Sequence, residues 1–265
     1  MTAAPVHSDA DWLTLTTADG PMRAYRARPP SATVPPAAVV VLQEAFGVNE
    51  HIQDVARRVA AQGYLAVAPD LFHRSAVHTV DYTDRDTAMG LIGGLGADAI
   101  TTDVSSVLDH LASDDGIPPN RVALLGFCFG GRAAFTAATA LPVAATVVFY
   151  GPGIATGPHA ALHLAANIEG PMLMLVGDAD PTLPAEDLAA IDSAAKRGGV
   201  DLRVVVFSGA GHAFHCDARP AQYVEDAAQE AWADTVSFLK DVFASRGPES
   251  GPDTETRSTA QSPSQ

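Results

Sequence analysis

One stretch of the chain, residues 122–131 with the sequence VALLGFCFGG, constrains the fold more than any other. It begins as a short apolar run typical of a buried strand, and the Ala-rich residues 132–140 after it predict a helix. Between the two, Gly126 and Gly130 flank Cys128 in a G-x-C-x-G pattern. A strand that reverses sharply into a helix strains its central residue, and glycines leave room for the turn. The pattern therefore predicts a nucleophile turn of the G-x-S-x-G type with sulfur in place of oxygen.

The position of Cys128 at the start of that helix has a chemical consequence. A helix N-terminus offers backbone N–H groups and the positive end of a dipole, which favour a thiolate or an oxyanion. A buried core cysteine in a tight turn is the alternative, because cysteine is often simply buried. The motif alone does not separate the two, so the rest of the chain has to.

Apolar runs alternate with helix-type segments along the chain. Predicted strands cover residues 38–42, 64–68, 122–125, 144–150, 171–176 and 202–207, after an N-terminal hairpin at 13–17 and 22–28. Predicted helices run from an N-cap at Asn49 to about residue 62, then over 97–112, 132–140, 184–197 and 221–244, with a short helix from Asp81. Residues 151–170 read as a loop. This alternation predicts a doubly wound α/β fold, with a mostly parallel central sheet and helices on both faces.

Length and composition narrow the class of protein. A chain of 265 residues with 47% hydrophobic residues fits one α/β domain, which we expect over residues 1–245, and the polar residues 246–265 predict a disordered tail. A net charge of -15 argues against nucleic acid and anionic membranes as partners. We see no signal peptide and no transmembrane run, and a chain this size does not need a disulfide between its two cysteines. We therefore expect a cytoplasmic protein, a monomer or weak homodimer.

Four potentially reactive side chains each follow the carboxyl end of a predicted strand. They are Glu44, Cys128, Asp180 and His212. Active sites of open parallel sheets lie beyond the strands' carboxyl ends, so we expect these side chains to meet. The chain order of nucleophile, acid and histidine is that of α/β-hydrolases. A thiol needs a base such as imidazole to lose its proton, and a carboxylate fixes the imidazole tautomer.

Alternatives exist for several of these residues. Asp178 competes with Asp180 for the acid role, but Asp180 sits farther past its strand, where the loop can reach the histidine. His212, His215 and Cys216 would be the ligands of a metal site, but they lack a second ligand cluster, so we predict no metal. The glycines of residues 93–96 do not follow a strand, which argues against a dinucleotide motif and leaves no cofactor predicted.

Taken together, these segments resemble the dienelactone hydrolase (carboxymethylenebutenolidase) family of α/β-hydrolases. The matching segments are QEAFG at 43–47 with Asn49, PDL at 69–71, GFCFGG at 126–131, GDAD at 177–180 with Pro184, and AGHAF at 210–214. The resemblance covers about residues 10–245, nearly everything except the tail. It implies the α/β-hydrolase fold and the hydrolysis of an ester or lactone.

Residue roles follow from the same resemblance. It implies Cys128 as nucleophile with Asp180 and His212 as its partners, and Glu44 as a fourth participant that contacts the thiol until substrate binds. A carboxylate beside a thiol disfavours a second negative charge, so it would protect the resting thiol from oxidation. The oxyanion hole would be formed by the backbone N–H groups of two further residues, Phe129 and Ala45.

Substrate recognition departs from the family pattern. Two arginines hold the substrate carboxylate in the dienelactone enzymes, and Arg85 lies near the position of one of them. The other would sit four residues after His212, where this chain has Cys216, and Arg219 close by could substitute, so we expect Arg85, Arg219 and Cys216 to bind the substrate. The sequence thus predicts a cofactor-free hydrolase of a small-molecule lactone or ester. A general carboxylesterase or thioesterase is the first alternative, and a non-enzymatic ligand-binding or redox-sensing protein is the second.

Overall fold

The structure is a computed structural model that describes residues 9–30 and 37–246. Within these two ranges, eight strands form one sheet: β1 Ala10–Thr17, β2 Gly20–Ala27, β3 Ala38–Leu42, β4 Leu65–Pro69, β5 Val122–Phe127, β6 Ala145–Phe149, β7 Met172–Gly177 and β8 Leu202–Phe207. Their order across the sheet is β1-β2-β4-β3-β5-β6-β7-β8. Only the hairpin strands break the parallel pattern, since β1 pairs with β2, and β2 with β4, in antiparallel fashion. The expected mostly parallel sheet is confirmed.

The described part of the chain contains six α-helices, the last of which follows β8. They are α1 Glu50–Ala61, α2 Arg85–Gly93, α3 Ala97–Ser113, α4 Phe129–Ala138, α5 Ala185–Gly198 and α6 Glu225–Ser245. As the sequence predicts, Asn49 caps α1, because its side-chain oxygen accepts a hydrogen bond from the backbone N–H of Ile52. Short 3-10 helices lie at Pro119–Arg121 and Leu162–Asn167.

Helices cover both faces of the sheet, as expected. Alternate residues of a strand point to opposite faces. On β3, Val40 therefore joins a core with α3, α4 and α5 on one side. Its neighbours Val39 and Val41 join a second core with α1 and α6 on the other side. Burial on both faces explains why the central strands are continuous apolar runs.

The register of the sheet brings several strand ends to one edge. Leu42 of β3 pairs with Gly126 of β5, and Gly177 of β7 pairs with Phe207 of β8. The segments that follow these four strands therefore leave the sheet on the same side. These are the segments in which the sequence places its reactive side chains.

Several boundaries differ from those expected. The strand at 122 continues to Phe127 and α4 begins at Phe129, because the turn between them takes only one residue, Cys128. The segment 151–170, expected to be a loop, contains the 3-10 helix Leu162–Asn167. The last helix begins at Glu225 and not near residue 221. Residues 247–265 of the predicted tail 246–265, and residues 31–36, lie outside the described residues.

Candidate active site

Cys128 forms the whole turn between β5 and α4. Its φ is 53° and its ψ is -118°, a left-handed conformation that side-chain-bearing residues rarely adopt. The backbone N–H of Cys128 donates a hydrogen bond of 3.0 Å to the carbonyl of Phe149 on the neighbouring strand β6. The strained residue is thus held in place by the sheet, and its side chain remains partly exposed.

Two glycines make this turn possible through close backbone approach. A Cβ on Gly126 would lie 1.9 Å from the carbonyl oxygen of Gly130. A Cβ on Gly130 would lie 2.2 Å from the carbonyl oxygen of Leu42 on β3. The G-x-C-x-G pattern is therefore required by the packing of α4 against the ends of β5 and β3, as well as by the turn itself.

His212 joins the thiol to a buried carboxylate. Its Nε2 lies 3.0 Å from the Sγ of Cys128, and its Nδ1 lies 2.8 Å from an oxygen of Asp180. The Asp180 side chain is fully buried, whereas 20% of the His212 side chain is exposed. The three residues predicted from the sequence as nucleophile, base and acid are therefore brought together at the carboxyl edge of the sheet.

Thr182, which the sequence analysis did not single out, completes the surroundings of Asp180. Its hydroxyl and its backbone N–H both donate to Asp180 Oδ1, at 2.7 and 2.8 Å. The same hydroxyl oxygen lies 2.9 Å from Nδ1 of His212. The sequence did contain a signal for this contact, a Thr two residues after an Asp in a predicted turn. Asp and Thr side chains in such turns commonly form hydrogen bonds with nearby backbone groups.

Asp178, the competing acid, is engaged elsewhere. One of its oxygens accepts a hydrogen bond of 2.7 Å from the backbone N–H of Gly209, and the other accepts one of 3.1 Å from the Ser208 hydroxyl. These contacts fix the turn after β8. Asp178 is exposed and holds the loop that carries His212, while Asp180 contacts the imidazole itself.

Electrostatics favour a protonated imidazole beside the thiol. Burial by itself lowers the pKa of His212, but hydrogen bonds to Asp180 and Cys128, together with their charges, outweigh it and raise the pKa to about 10. Burial also tends to raise the pKa of Asp180, yet the hydrogen bonds from His212 and Thr182 hold it below its ordinary value. The pair is thus suited to hold a proton on His212 at neutral pH.

A buried tyrosine supports the imidazole from the side. Tyr150 follows β6 with a φ of 37°, and its ring packs edge-on against His212 with centroids 5.2 Å apart. Burial raises the pKa of Tyr150 well above its ordinary value, so its hydroxyl stays neutral. A third residue with positive φ, Ala213 at 64°, directly follows His212. Residues with strained backbone therefore both contact His212 and follow it in the chain.

A cavity of about 540 Å³ opens over Cys128. Both residues expected to form the oxyanion hole, Ala45 and Phe129, line it together with Cys128 and His212. Phe129 is the first residue of α4, where backbone N–H groups have no partner within the helix. The position of Phe129 therefore suits an N–H donor to a developing negative charge.

The walls of this cavity are mostly apolar, with cationic groups at three points. The apolar part includes Ala88, Met89 and Ile92 of α2. The three guanidinium groups belong to Arg85, Arg132 and Arg219. Two of them, Arg85 and Arg219, were predicted as substrate-binding residues, and both line the cavity.

Arg132 was missed by the sequence analysis, which read it only as the start of a helix. It is 8% exposed, lies in the first turn of α4, and its guanidinium carbon is 5.2 Å from the centre of the Phe129 ring. Burial lowers the pKa of Arg132, and the nearby Cys128 charge opposes that shift. No carboxylate of the described residues pairs with it, although buried cations normally have such a partner. The sequence signal for Arg132 was its position four residues after Cys128, about one helical turn further on, which places a charged side chain near the thiol.

Cys216 and Glu44 do not reach the reactive thiol in this arrangement. Cys216 is fully buried, and its Sγ lies 3.6 Å from the Tyr82 hydroxyl. It is not among the described residues that line the cavity, so its expected place at the edge of the substrate pocket is not seen. Glu44 is 1% exposed, and neither of its carboxylate oxygens has a hydrogen-bond partner among the described residues. The expected contact between Glu44 and Cys128 is therefore not seen, and a catalytic role for Glu44 stays a prediction.

His212, His215 and Cys216 do not form a common ligand set in the described residues. Both ring nitrogens of His212 are engaged, by Cys128 and by Asp180. His215 is buried among aromatic rings, including Phe127 and Phe149, and burial lowers its pKa to about 3. These contacts leave His212 no free ring nitrogen for a metal site shared with His215 and Cys216, the alternative that the sequence analysis set aside.

A mostly parallel sheet of this strand order, with a strained strand-to-helix turn at Cys128 after β5 and a histidine after β8, is the arrangement of the α/β-hydrolase fold. Comparison with known proteins narrows this class. The model of the dienelactone hydrolase family matches residues 22–243. The chain belongs to the dienelactone hydrolase family and is an ester hydrolase of that family.

Three relatives illustrate the match. A protein of Escherichia coli K12 named "Putative carboxymethylenebutenolidase" is 35% identical over 229 residues, covering 83% of this chain and 82% of its own. A Bradyrhizobium protein named "Probable 2-oxo-3-(5-oxofuran-2-ylidene)propanoate lactonase" is 30% identical over 235 residues, covering 87% of this chain and 93% of its own. The crystal structure of a protein from Klebsiella pneumoniae, named "Putative Dienelactone Hydrolase", superposes with a TM-score of 0.81 at 29% identity. The match covers 88% of this chain and 99% of that one. Within the described residues, no helix is both long and apolar enough to cross a membrane.

Proposed function

We propose that this protein hydrolyses small lactones or esters through a covalent thioester on Cys128. The observation that carries the proposal is the continuous contact from Cys128 Sγ through His212 to Asp180, at 3.0 and 2.8 Å. Such a chain of contacts matches what nucleophilic acyl transfer requires, namely a nucleophile, a base within reach and a group that orients the base.

In the first half of the reaction, the Cys128 thiolate attacks the carbonyl carbon of the substrate. The resulting oxyanion accepts hydrogen bonds from the backbone N–H groups of Phe129 and Ala45. The tetrahedral intermediate then breaks its carbon–oxygen bond. His212 gives its Nε2 proton to the departing alkoxide, and the acyl group remains on sulfur.

In the second half, His212 removes a proton from water as the water oxygen attacks the thioester carbon. The carbon–sulfur bond breaks, and the thiolate and the imidazolium are restored together. The net change is one water consumed and one acid and one alcohol formed. With a lactone, the alkoxide stays attached to the acyl group, so the product is a single ring-opened hydroxy acid.

A substrate that carries a carboxylate fits the cavity best. Arg132 is buried without a carboxylate partner among the described residues, and Arg219 and Arg85 line the same space. A carboxylate bound there would neutralise a desolvated guanidinium, which makes such a contact strong. The Bradyrhizobium relative is named as a lactonase of a propanoate, which is a lactone that carries a carboxylate.

A general carboxylesterase is the second candidate. The apolar residues Ala88, Met89 and Ile92 of α2 would suit a neutral acyl or alkyl group. A matched pair of substrates separates the two: an unsaturated γ-lactone with a free carboxylate, and its methyl ester. Preference for the acid in kcat/KM would support the anionic lactone. Preference for the methyl ester, or equal rates, would favour the general esterase.

The test of the mechanism is capture of the thioester. Cys128→Ser and Cys128→Ala are measured beside the wild type on both substrates, and rapidly quenched wild-type protein is examined by intact mass. We expect an acyl adduct on Cys128 and its loss in Cys128→Ala. Full turnover by Cys128→Ala would exclude the proposed nucleophile.

A further inference from the structure

A second cluster of reactive side chains lies outside the triad. It comprises Glu44 after β3, His51 in the first turn of α1, and Cys216 in the segment after β8. One potential ligand atom from each residue, an oxygen, a nitrogen and a sulfur, lies within 4.8 Å of the other two. All three residues are buried, with 1%, 3% and 0% of their surface exposed.

Three polar atoms of this cluster lack ordinary partners. Both carboxylate oxygens of Glu44 and the Nε2 of His51 have no hydrogen-bond partner among the described residues. Burying a carboxylate without a partner is strongly unfavourable, and buried polar groups are normally satisfied. A group that accepts electron pairs from oxygen and nitrogen at once would satisfy these atoms.

The orientation of His51 is set from its other side. Its Nδ1 lies 3.2 Å from a carboxylate oxygen of Asp217, which also binds Arg58. A carboxylate beside Nδ1 keeps the proton on that nitrogen, so the lone pair of Nε2 is directed away from Asp217. This arrangement of carboxylate and histidine is the one that accompanies histidine ligands of metal ions.

We propose that Glu44, His51 and Cys216 bind one divalent transition-metal ion of the zinc type. Thiolate, imidazole and carboxylate are all zinc ligands, and a thiolate in the set disfavours magnesium or calcium. Charge balances in the buried site, because the ion carries two positive charges and the thiolate and carboxylate carry one negative charge each. Binding displaces the proton of the Cys216 thiol to solvent.

The site has a structural consequence that does not depend on the reaction proposed above. It joins the end of β3, the start of α1 and the segment after β8, of which the last two are already linked by the contacts of Asp217 with His51 and Arg58. The segment after β8 also carries His212. Occupancy would therefore fix the loop that presents the imidazole and would neutralise a buried carboxylate close to the active site.

The first experiment measures zinc in untagged full-length protein after desalting. We expect close to one equivalent per chain in the wild type and in Cys128→Ser, the matched control for the other thiol. We expect little or none in Cys216→Ser, His51→Asn and Glu44→Gln. Titration against a chromophoric chelator should show that Asp217→Asn, a change at an exposed residue, weakens affinity by about 10- to 100-fold.

Cobalt substitution provides a readout that does not require enzymatic activity. Co²⁺ added to wild-type protein should give a sulfur-to-cobalt charge-transfer band, present in Cys128→Ser and absent in Cys216→Ser. A wild-type protein that retains no zinc and shows no such band would overturn the proposal. So would equal zinc in Cys216→Ser and wild type. Neither result would affect thioester capture on Cys128, so the two proposals fail independently.

Discussion

His212 Nε2 lies 3.0 Å from Cys128 Sγ, although the two residues are 84 positions apart in the chain. They follow β8 and β5, and two strands, β6 and β7, lie between these in the sheet. Asp180, after β7, closes the gap from the far side of the imidazole. The alignment of strand ends therefore converts distant sequence positions into one hydrogen-bonded chain.

Asp180→Asn should lower kcat/KM by on the order of 10²- to 10⁴-fold, because the amide no longer fixes the imidazole tautomer or stabilises the imidazolium. Asp178→Asn is the matched control on the same loop. It should keep near-wild-type activity and lose at most about 1–2 kcal/mol of stability, since its hydrogen bonds hold a turn. Steady-state kinetics and thermal unfolding of both variants check this. A larger activity loss in Asp178→Asn would reverse the assignment of the acid.

The pH profile of kcat/KM should fall on the alkaline side with an apparent pKa near 10, since that is where His212 loses its proton. Deprotonation removes the acid that protonates the leaving alkoxide. The Asp180 hydrogen bond and charge raise this pKa, so Asp180→Asn should move the alkaline limb to lower pH, toward the ordinary histidine value of 6.5. An alkaline limb that stays in place in Asp180→Asn would mean that another group controls it.

Arg132→Gln should raise KM for a carboxylate-bearing lactone by about 10- to 100-fold, the loss expected for one hydrogen bond between charged groups. Turnover of a neutral ester such as p-nitrophenyl acetate is the internal control, and it should change little if the fold is intact. Arg85→Gln, at an exposed residue on the rim, should have a smaller effect. Equal losses on the acidic and neutral substrates would point to a packing role for Arg132.

Gly126→Ala should destabilise the protein by about 1–3 kcal/mol or more, because the new Cβ meets the Gly130 carbonyl oxygen at 1.9 Å. Gly90→Ala is the control, since a Cβ there meets nothing within 4 Å and the residue lies within α2. That change should be stabilising by about 0.5–1 kcal/mol. Denaturant unfolding measures both, and similar stabilities for the two variants would contradict the packing account of the turn.

The sequence predicts the parts of this protein that depend on local pattern. The strand ending near Leu125, the glycines around Cys128 and the Asn49 cap each have a short-range physical cause, and the structure has all of them. The rule that active sites lie at the carboxyl edge of parallel strands was enough to group Cys128, Asp180 and His212. Their roles in catalysis remain to be tested by the variants above.

Other features depend on packing between segments that are far apart. From the sequence alone, Arg132 resembles any polar residue of a helix, and only the fold shows that it is buried and lines the cavity. Glu44 lies close to His51 and makes no hydrogen bond to Cys128. This placement depends on how α1 starts after β3. Such distances of a few ångströms are set by tertiary contacts, to which neither periodicity nor motif spacing is sensitive.

The cavity wall and the reacting atoms come from different parts of the chain. Helix α2 and residues 152–159 supply much of the wall, while the nucleophile, base and acid stand on strand ends. The two lining segments can therefore change in length or composition without moving the thiol, imidazole or carboxylate. New substrate ranges are accessible to evolution, or to an engineer who exchanges these segments, while the chemical step is inherited unaltered.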